Sequence, residues 1–82
     1  MQVAVKLFGP AAQRAGSREV RVMLEGDRAT CAALRAALAA AAPALADLLA
    51  ASRFAVNQEF AGDDDPVGAA DEVALIAMVS GG

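Results

Sequence analysis

The sequence predicts one α+β domain, a helix laid on one face of a sheet, and three observations carry that expectation. Two alternating apolar runs, VAVKLF at 3–8 and REVRVML at 18–24, open the chain. An alanine- and leucine-rich segment with helical spacing follows at 31–42. Short apolar runs at 54–56, 59–61 and 72–79 complete the order β-β-α-β-β-β.

In the first run Val3, Val5 and Leu7 share one face, as the strand period of two requires. The stretch GPAAQRAGS at 9–17 holds Gly9, Pro10, Gly16 and Ser17 and reads as a connection. In the second run Val20, Val22 and Leu24 turn inward while Glu19 and Arg21 turn outward. Two such runs joined by a loop predict an antiparallel hairpin.

EGDRAT at 25–30 supplies a turn, and Thr30 a helix N-cap without the Glu or Gln at position 33 that a capping box needs. Cys31, Leu34, Leu38 and Ala41 then recur at helical spacing among alanines of high helix propensity. Pro43 stops this helix near residue 42, because the residue before proline is pushed out of helical geometry. ALADLLAAS at 44–52 predicts a short helical turn, with Leu45, Leu48 and Leu49 closing the core.

FAV, NQ and EFA have the shape of two short strands about a tight turn, with Asn57 suited to positive φ. GDDDPVGAAD at 62–71 is a loop. EVALIAMV at 72–79 is the last and most apolar strand. It carries Val73, Leu75, Ala77 and Val79 on one face and Ala74, Ile76 and Met78 on the other. A lone helix covers only one face, so Ile76 and Met78 belong either to a second small cluster or to an exposed docking patch.

Composition removes several function classes. There is no histidine and one cysteine, which excludes a disulfide framework, a Cys/His zinc site and histidine acid–base chemistry. Cys31 is in phase with Leu34 and Leu38 and reads as a small core residue. Asp63, Asp64 and Asp65 lack the glycine and distal glutamate of a calcium loop and read as a solvated turn. The net charge is −3 and the seven basic residues are scattered, which argues against nucleic acid. An acidic chain suits a partner with a basic docking face. The first residues lack a signal-peptide pattern, and the apolar 29–51 region is broken by Arg35, Pro43 and Asp47. A soluble, cytoplasmic protein with no membrane partner is expected.

That leaves Ser80, Gly81 and Gly82. Alone, such an end reads as a frayed terminus. Its setting points elsewhere, since it directly follows the most hydrophobic strand. Residues 79–82 reach roughly 13 Å when extended, and glycine, lacking Cβ, threads channels too narrow for other residues. An arm tipped by a carboxylate suits chemistry done in a partner's active site.

AVNQE at 55–59, DEVAL at 71–75 and VSGG at 79–82, with the order of elements, resemble the small subunits of molybdopterin synthase, a family of ubiquitin-like sulfur carriers. The resemblance spans essentially the whole chain. It implies a β-grasp fold, a mixed sheet with one main helix packed on one face. The chain is then a single domain over 1–82, with 79–82 as its tail.

The resemblance also implies a route. The carboxyl group of Gly82 is adenylated with ATP by an enzyme of the ubiquitin-activating type and converted, with a sulfur donor protein, to a thiocarboxylate. Ser80 and Gly81 carry it into the large subunit of molybdopterin synthase, where sulfur builds the dithiolene of the molybdenum cofactor. Ile76, Met78 and Val79 are implied as partner-binding residues. The chain would hold no cofactor and would be the sulfur-donating subunit, not a catalyst on its own.

Carriers for thiamine or another thiolated metabolite, and ubiquitin-like protein modifiers, share the Gly-Gly end and stand as alternatives. A further alternative is a non-catalytic β-grasp binding module with an incidental tail. One departure is local. The family commonly has two prolines where this chain has Ala77 and Met78, so a longer strand or a looser tail root is expected here.

Overall fold

The computed structural model describes residues 1–78, so the expected tail, Val79, Ser80, Gly81 and Gly82, lies outside the described residues. Alternation builds the sheet. In β1 (Gln2–Leu7), Val3, Val5 and Leu7 are buried while Gln2 and Lys6 are exposed. The antiparallel partner β2 (Glu19–Met23) sets Val22 opposite Val3 and Val20 opposite Val5, forming the expected hairpin.

The last strand, β7 (Val73–Ala77), inserts beside β1 in parallel, with Val73 opposite Val5 and Leu75 opposite Leu7. Its other edge pairs antiparallel with β4 (Ser52–Val56), where Phe54 faces Leu75. β5 (Glu59–Ala61) completes the order β2-β1-β7-β4-β5. Asn57 and Gln58, at φ 53° and 70°, form the two-residue turn between β4 and β5, as the twist of a hairpin favours. The sheet is thus mixed, with its first and last strands adjacent at the centre.

The main helix α2 (Cys31–Ala41) starts where expected. The Thr30 hydroxyl accepts a hydrogen bond from the Ala33 N–H at 3.1 Å. Two more of its free N–H groups, at Cys31 and Ala32, donate to the Asp65 and Asp63 carbonyls at 2.9 and 3.0 Å. The acidic turn is therefore tied to the helix start, and its carboxylates lie at the favourable end of the helix dipole. Short strands β3 (Ala29–Thr30) and β6 (Pro66–Val67) pair alongside and hold this loop, part of which was expected to be unpaired.

Cys31, Leu34 and Leu38 face the sheet and are buried, whereas Ala41, also expected inward, is exposed at the last turn. Beyond it a 3₁₀ turn (Pro43–Leu45) and a short helix bring Leu45 and Leu49 into the same core, with Leu48 half-buried.

The stretch at 9–17, expected as a connection, instead contains the helix α1 (Gly9–Ala15). Pro10 occupies its first turn, where the missing N–H is no loss, and Gly16 closes it at φ 68°. Only Ala11 is buried, so no stripe of large apolar side chains marks this helix.

The two motifs AVNQE and DEVAL meet in space. The Asn57 N–H donates to the Glu72 carbonyl at 2.7 Å, and the Glu72 N–H donates to Asn57 Oδ1 at 3.0 Å. Asn57 Nδ2 also donates to Asp71 Oδ1 at 3.0 Å, and the Gly68 N–H to Asp71 Oδ2 at 2.7 Å. The β4–β5 turn is thereby locked to the entrance of β7. The Asn57 amide, then the Gly68 N–H, hold the Asp71 carboxyl below its ordinary value.

Because that value is lower in the folded chain, this stabilisation is complete above the unfolded value of about 3.9. It fades as pH falls through the lowered folded value. Chemical denaturation of Asp71→Asn and the parent chain should show a larger stability gap at pH 6 than at pH 3. A gap independent of pH would show that the charged carboxylate is not what these bonds need.

Candidate functional site

The buried residues of the sheet and of all the helices form one cluster on one face. The opposite face carries no helix among the described residues. Alternation places Lys6, Arg21, Arg53, Ala74 and Ile76 on it, and register sets Ile76 beside Arg53. At its margin the Arg53 guanidinium lies 4.9 Å from the ring centre of Phe60, which is itself exposed.

Of the predicted partner-binding residues, Ile76 is half-buried and Met78 is 45% exposed, both outside the core. Met78 is thus a surface residue, and Ile76 lies half-buried on the open face. The strand ends at Ala77, but the Met78 N–H still donates to the Ala51 carbonyl at 2.9 Å. A proline at 78 would have no such donor, so Met78 lets the pairing reach one residue past the strand. Val79, Ser80, Gly81 and Gly82, the other expected site residues, lie outside the described residues.

Parallel pairing of β1 with β7 brings further residues to the same end of the sheet. Leu7 is level with Leu75, so Phe8, 57% exposed, leaves β1 where β7 runs out toward Met78. Here β1 turns into α1, and a groove of about 400 Å³ is lined by Lys6, Leu7, Phe8, Gly9, Ala12 and Arg18. The sequence reading missed Lys6, Phe8, Arg18 and Arg53 as site residues. The signal for two of them was present, since Lys6 and Phe8 alternate with the buried Val5 and Leu7.

Cys31 is buried, and its thiol pKa is raised by that burial and by the nearby negative charges of Asp65 and Asp63. Both effects disfavour the thiolate, the reactive form. The position fits the core role expected for it.

Met78→Asp should leave the melting transition in place and weaken binding to a protein that docks at this end of the sheet by tenfold or more, as loss of an interface anchor does. Ile76→Asp should act in the same direction, with some loss of stability because Ile76 is half-buried. Differential scanning fluorimetry read beside a binding titration separates the two effects. Unfolding by Met78→Asp would assign that side chain to the core.

The ThiS family model matches residues 5–82. No curated protein matches the chain significantly. Among solved structures, small archaeal modifier protein 1 (SAMP1) from Haloferax volcanii is 37% identical, with 100% of each chain covered and a TM-score of 0.83. A putative molybdopterin converting factor subunit 1 from Pyrococcus furiosus is 23% identical at a TM-score of 0.80, covering 96% of this chain and 99% of that one. Subunit 1 in a complex with subunit 2 of the molybdopterin-converting factor from Helicobacter pylori is 24% identical at a TM-score of 0.69, with both chains fully covered. These last two likenesses show the fold alone. The 37% identity and the family match over nearly every residue go further: the chain belongs to the ThiS family and has the β-grasp fold of ubiquitin-like sulfur carriers.

Proposed function

We propose that the chain delivers sulfur as a Gly82 thiocarboxylate to the large subunit of molybdopterin synthase in molybdenum-cofactor assembly. The observation that carries this reading is the placement of β7. It is paired on both edges, and its pairing continues to Met78, the residue before VSGG. An arm rooted there has a fixed origin. The family match and the H. pylori assembly of subunits 1 and 2 support the choice of partner.

The chemistry follows from the carboxyl group. A free carboxylate resists attack by a sulfur nucleophile. Adenylation with ATP by a ubiquitin-activating-type enzyme makes AMP the leaving group, and a sulfur donor protein then supplies the sulfur that displaces it. The thiocarboxylate is itself a good sulfur nucleophile. The carrier's own part is to present this group, so Ser80 and Gly81 serve reach, and Ile76, Met78 and Val79 serve docking. All of this takes place in the cytoplasm.

Mass spectrometry of the chain produced with its activating enzyme and a sulfur source should show a gain of about 16 Da, sulfur replacing oxygen. An unchanged mass under those conditions would overturn the proposal. The identity to a small archaeal modifier protein favours a second reading, conjugation of Gly82 to protein lysines. Covalent ladders on target proteins, absent when Gly82 is removed, would support it over sulfur delivery.

A further inference from the structure

The chain is acidic overall, with ten carboxylate residues against seven cationic ones. The sheet face beside the tail root has the opposite sign. Within its strands, alternation and register present Lys6, Arg21 and Arg53 against one acidic residue, Glu19, and Glu72 follows in the same phase just before β7. Glu19 is already engaged by Arg21 at 3.1 Å. The remaining eight carboxylates lie at other positions: in the 63–65 turn, at Asp71, at Glu25 and Asp27 after β2, at Glu59 in β5 and at Asp47 in the short helix. At the β1–α1 corner the groove adds Arg18 to Lys6, with Phe8 as its apolar wall. Among the described residues neither Lys6 nor Arg18 has a carboxylate within ion-pair distance.

We infer that this face docks a protein surface whose acidic side chains ring an apolar centre, and that the Lys6–Phe8–Arg18 groove receives one of its carboxylates. The inference rests on the carrier reading and reverses the expectation from net charge, which called for a basic partner surface. Charge complementarity selects the occupant. Like charges placed across an interface are unfavourable, so a second copy presenting the same face would set cations against cations. An acidic surface instead pairs with Lys6, Arg18 and Arg53 while its apolar part covers Ile76 and Met78. Such charges act chiefly on the rate and salt dependence of association.

The probes are the molybdopterin synthase large subunit and the adenylating enzyme encoded in the same genome, titrated with the full chain at low and high salt. Lys6→Glu with Arg18→Glu should weaken binding to at least one of them tenfold or more at low salt and flatten its salt dependence. The milder Lys6→Gln should give a smaller loss. Arg14→Glu on α1, off this face, is a control with the same charge change per site and should leave binding unchanged. Unaltered melting of the exposed-site variants confirms that the fold persists.

Binding of the parent chain that survives the double reversal overturns the inference and leaves the carrier reading standing. Equal loss with Arg14→Glu overturns it too, by showing a response to net charge alone. A parent-chain dimer that the double reversal dissociates would assign the face to a second copy instead. If the parent chain binds neither enzyme, the carrier reading falls and the inference with it.

Discussion

Removal of Gly81 and Gly82 is expected to abolish sulfur transfer completely while leaving the melting transition where it was. The core is built from Val3, Val5, Leu7, Leu34, Leu38, Phe54, Val73, Leu75 and their neighbours, all upstream of residue 79. β7 is held by both neighbouring strands and by the Met78–Ala51 bond before the tail begins. The truncated chain therefore keeps every contact of the described fold but ends in a side-chain-bearing residue two positions short of the reacting enzyme groups. At about 3.3 Å per residue, that shortfall is roughly 7 Å. Reacting atoms must come within about 3–3.5 Å of each other, so no residual rate is expected.

Thiocarboxylate formation, measured by mass, and partner binding, measured by titration, should separate. Formation is lost and binding by the sheet face is retained in part. Retention of full pathway activity would instead identify a binding module with an incidental tail. A second variant, Gly81→Val, tests the narrow-channel argument without shortening the arm. It should slow the reaction by adding a branched side chain where only glycine has room to pass.

The sheet was legible in the sequence because its residues obey one local rule. Val3, Val5 and Leu7 alternate with exposed or half-buried neighbours, and Val73 and Leu75 with half-buried ones, which gave strand, face and core together. Thr30 and Pro43 marked the main helix because capping and proline chemistry act within a few residues. α1 was missed because its seven residues bury only Ala11. Pro10 near its start and Gly16 past its end carried the usual asymmetry of a helix, but both also read as loop residues.

The pairing of β3 with β6 joins residues 29–30 to 66–67, and two-residue strands leave no period to detect. Gln58 at φ 70° gave no warning either, since glycine is the usual residue there. The charge of the open sheet face was hidden for a different reason. Net charge sums over the chain, whereas Lys6, Arg21 and Arg53 become one surface only when four strands, β2, β1, β7 and β4, come into register.

Phe54→Ala is expected to be the most destabilising single change in the core. Phe54 is fully buried in β4, opposite Leu75 on one side and Ala61 on the other, and the chain's other two phenylalanines, Phe8 and Phe60, are exposed. Truncating a buried phenylalanine costs about 3–5 kcal/mol, through lost burial and the cavity left behind. Its ring also supports Arg35, whose guanidinium lies 5.3 Å from the ring centre. Arg35 donates to the Leu49 carbonyl at the end of the short helix and sits 3.7 Å from Asp63 in the turn that caps α2.

One side chain thus links the sheet, two helices and the acidic turn, and it rests on the Phe54 ring. A domain of this size has a total stability on the order of 4–12 kcal/mol, so Phe54→Ala should sit at or past the edge of folding. Arg35→Ala keeps the ring buried and loses the stacking and the carbonyl bond, for about 1–3 kcal/mol. Urea denaturation should rank the variants in that order. The same rank should hold for Leu34→Ala and Leu38→Ala, at about 2–5 kcal/mol each, between the two. If Arg35→Ala proves as damaging as Phe54→Ala, the polar link and not the buried ring is what joins the helices to the sheet.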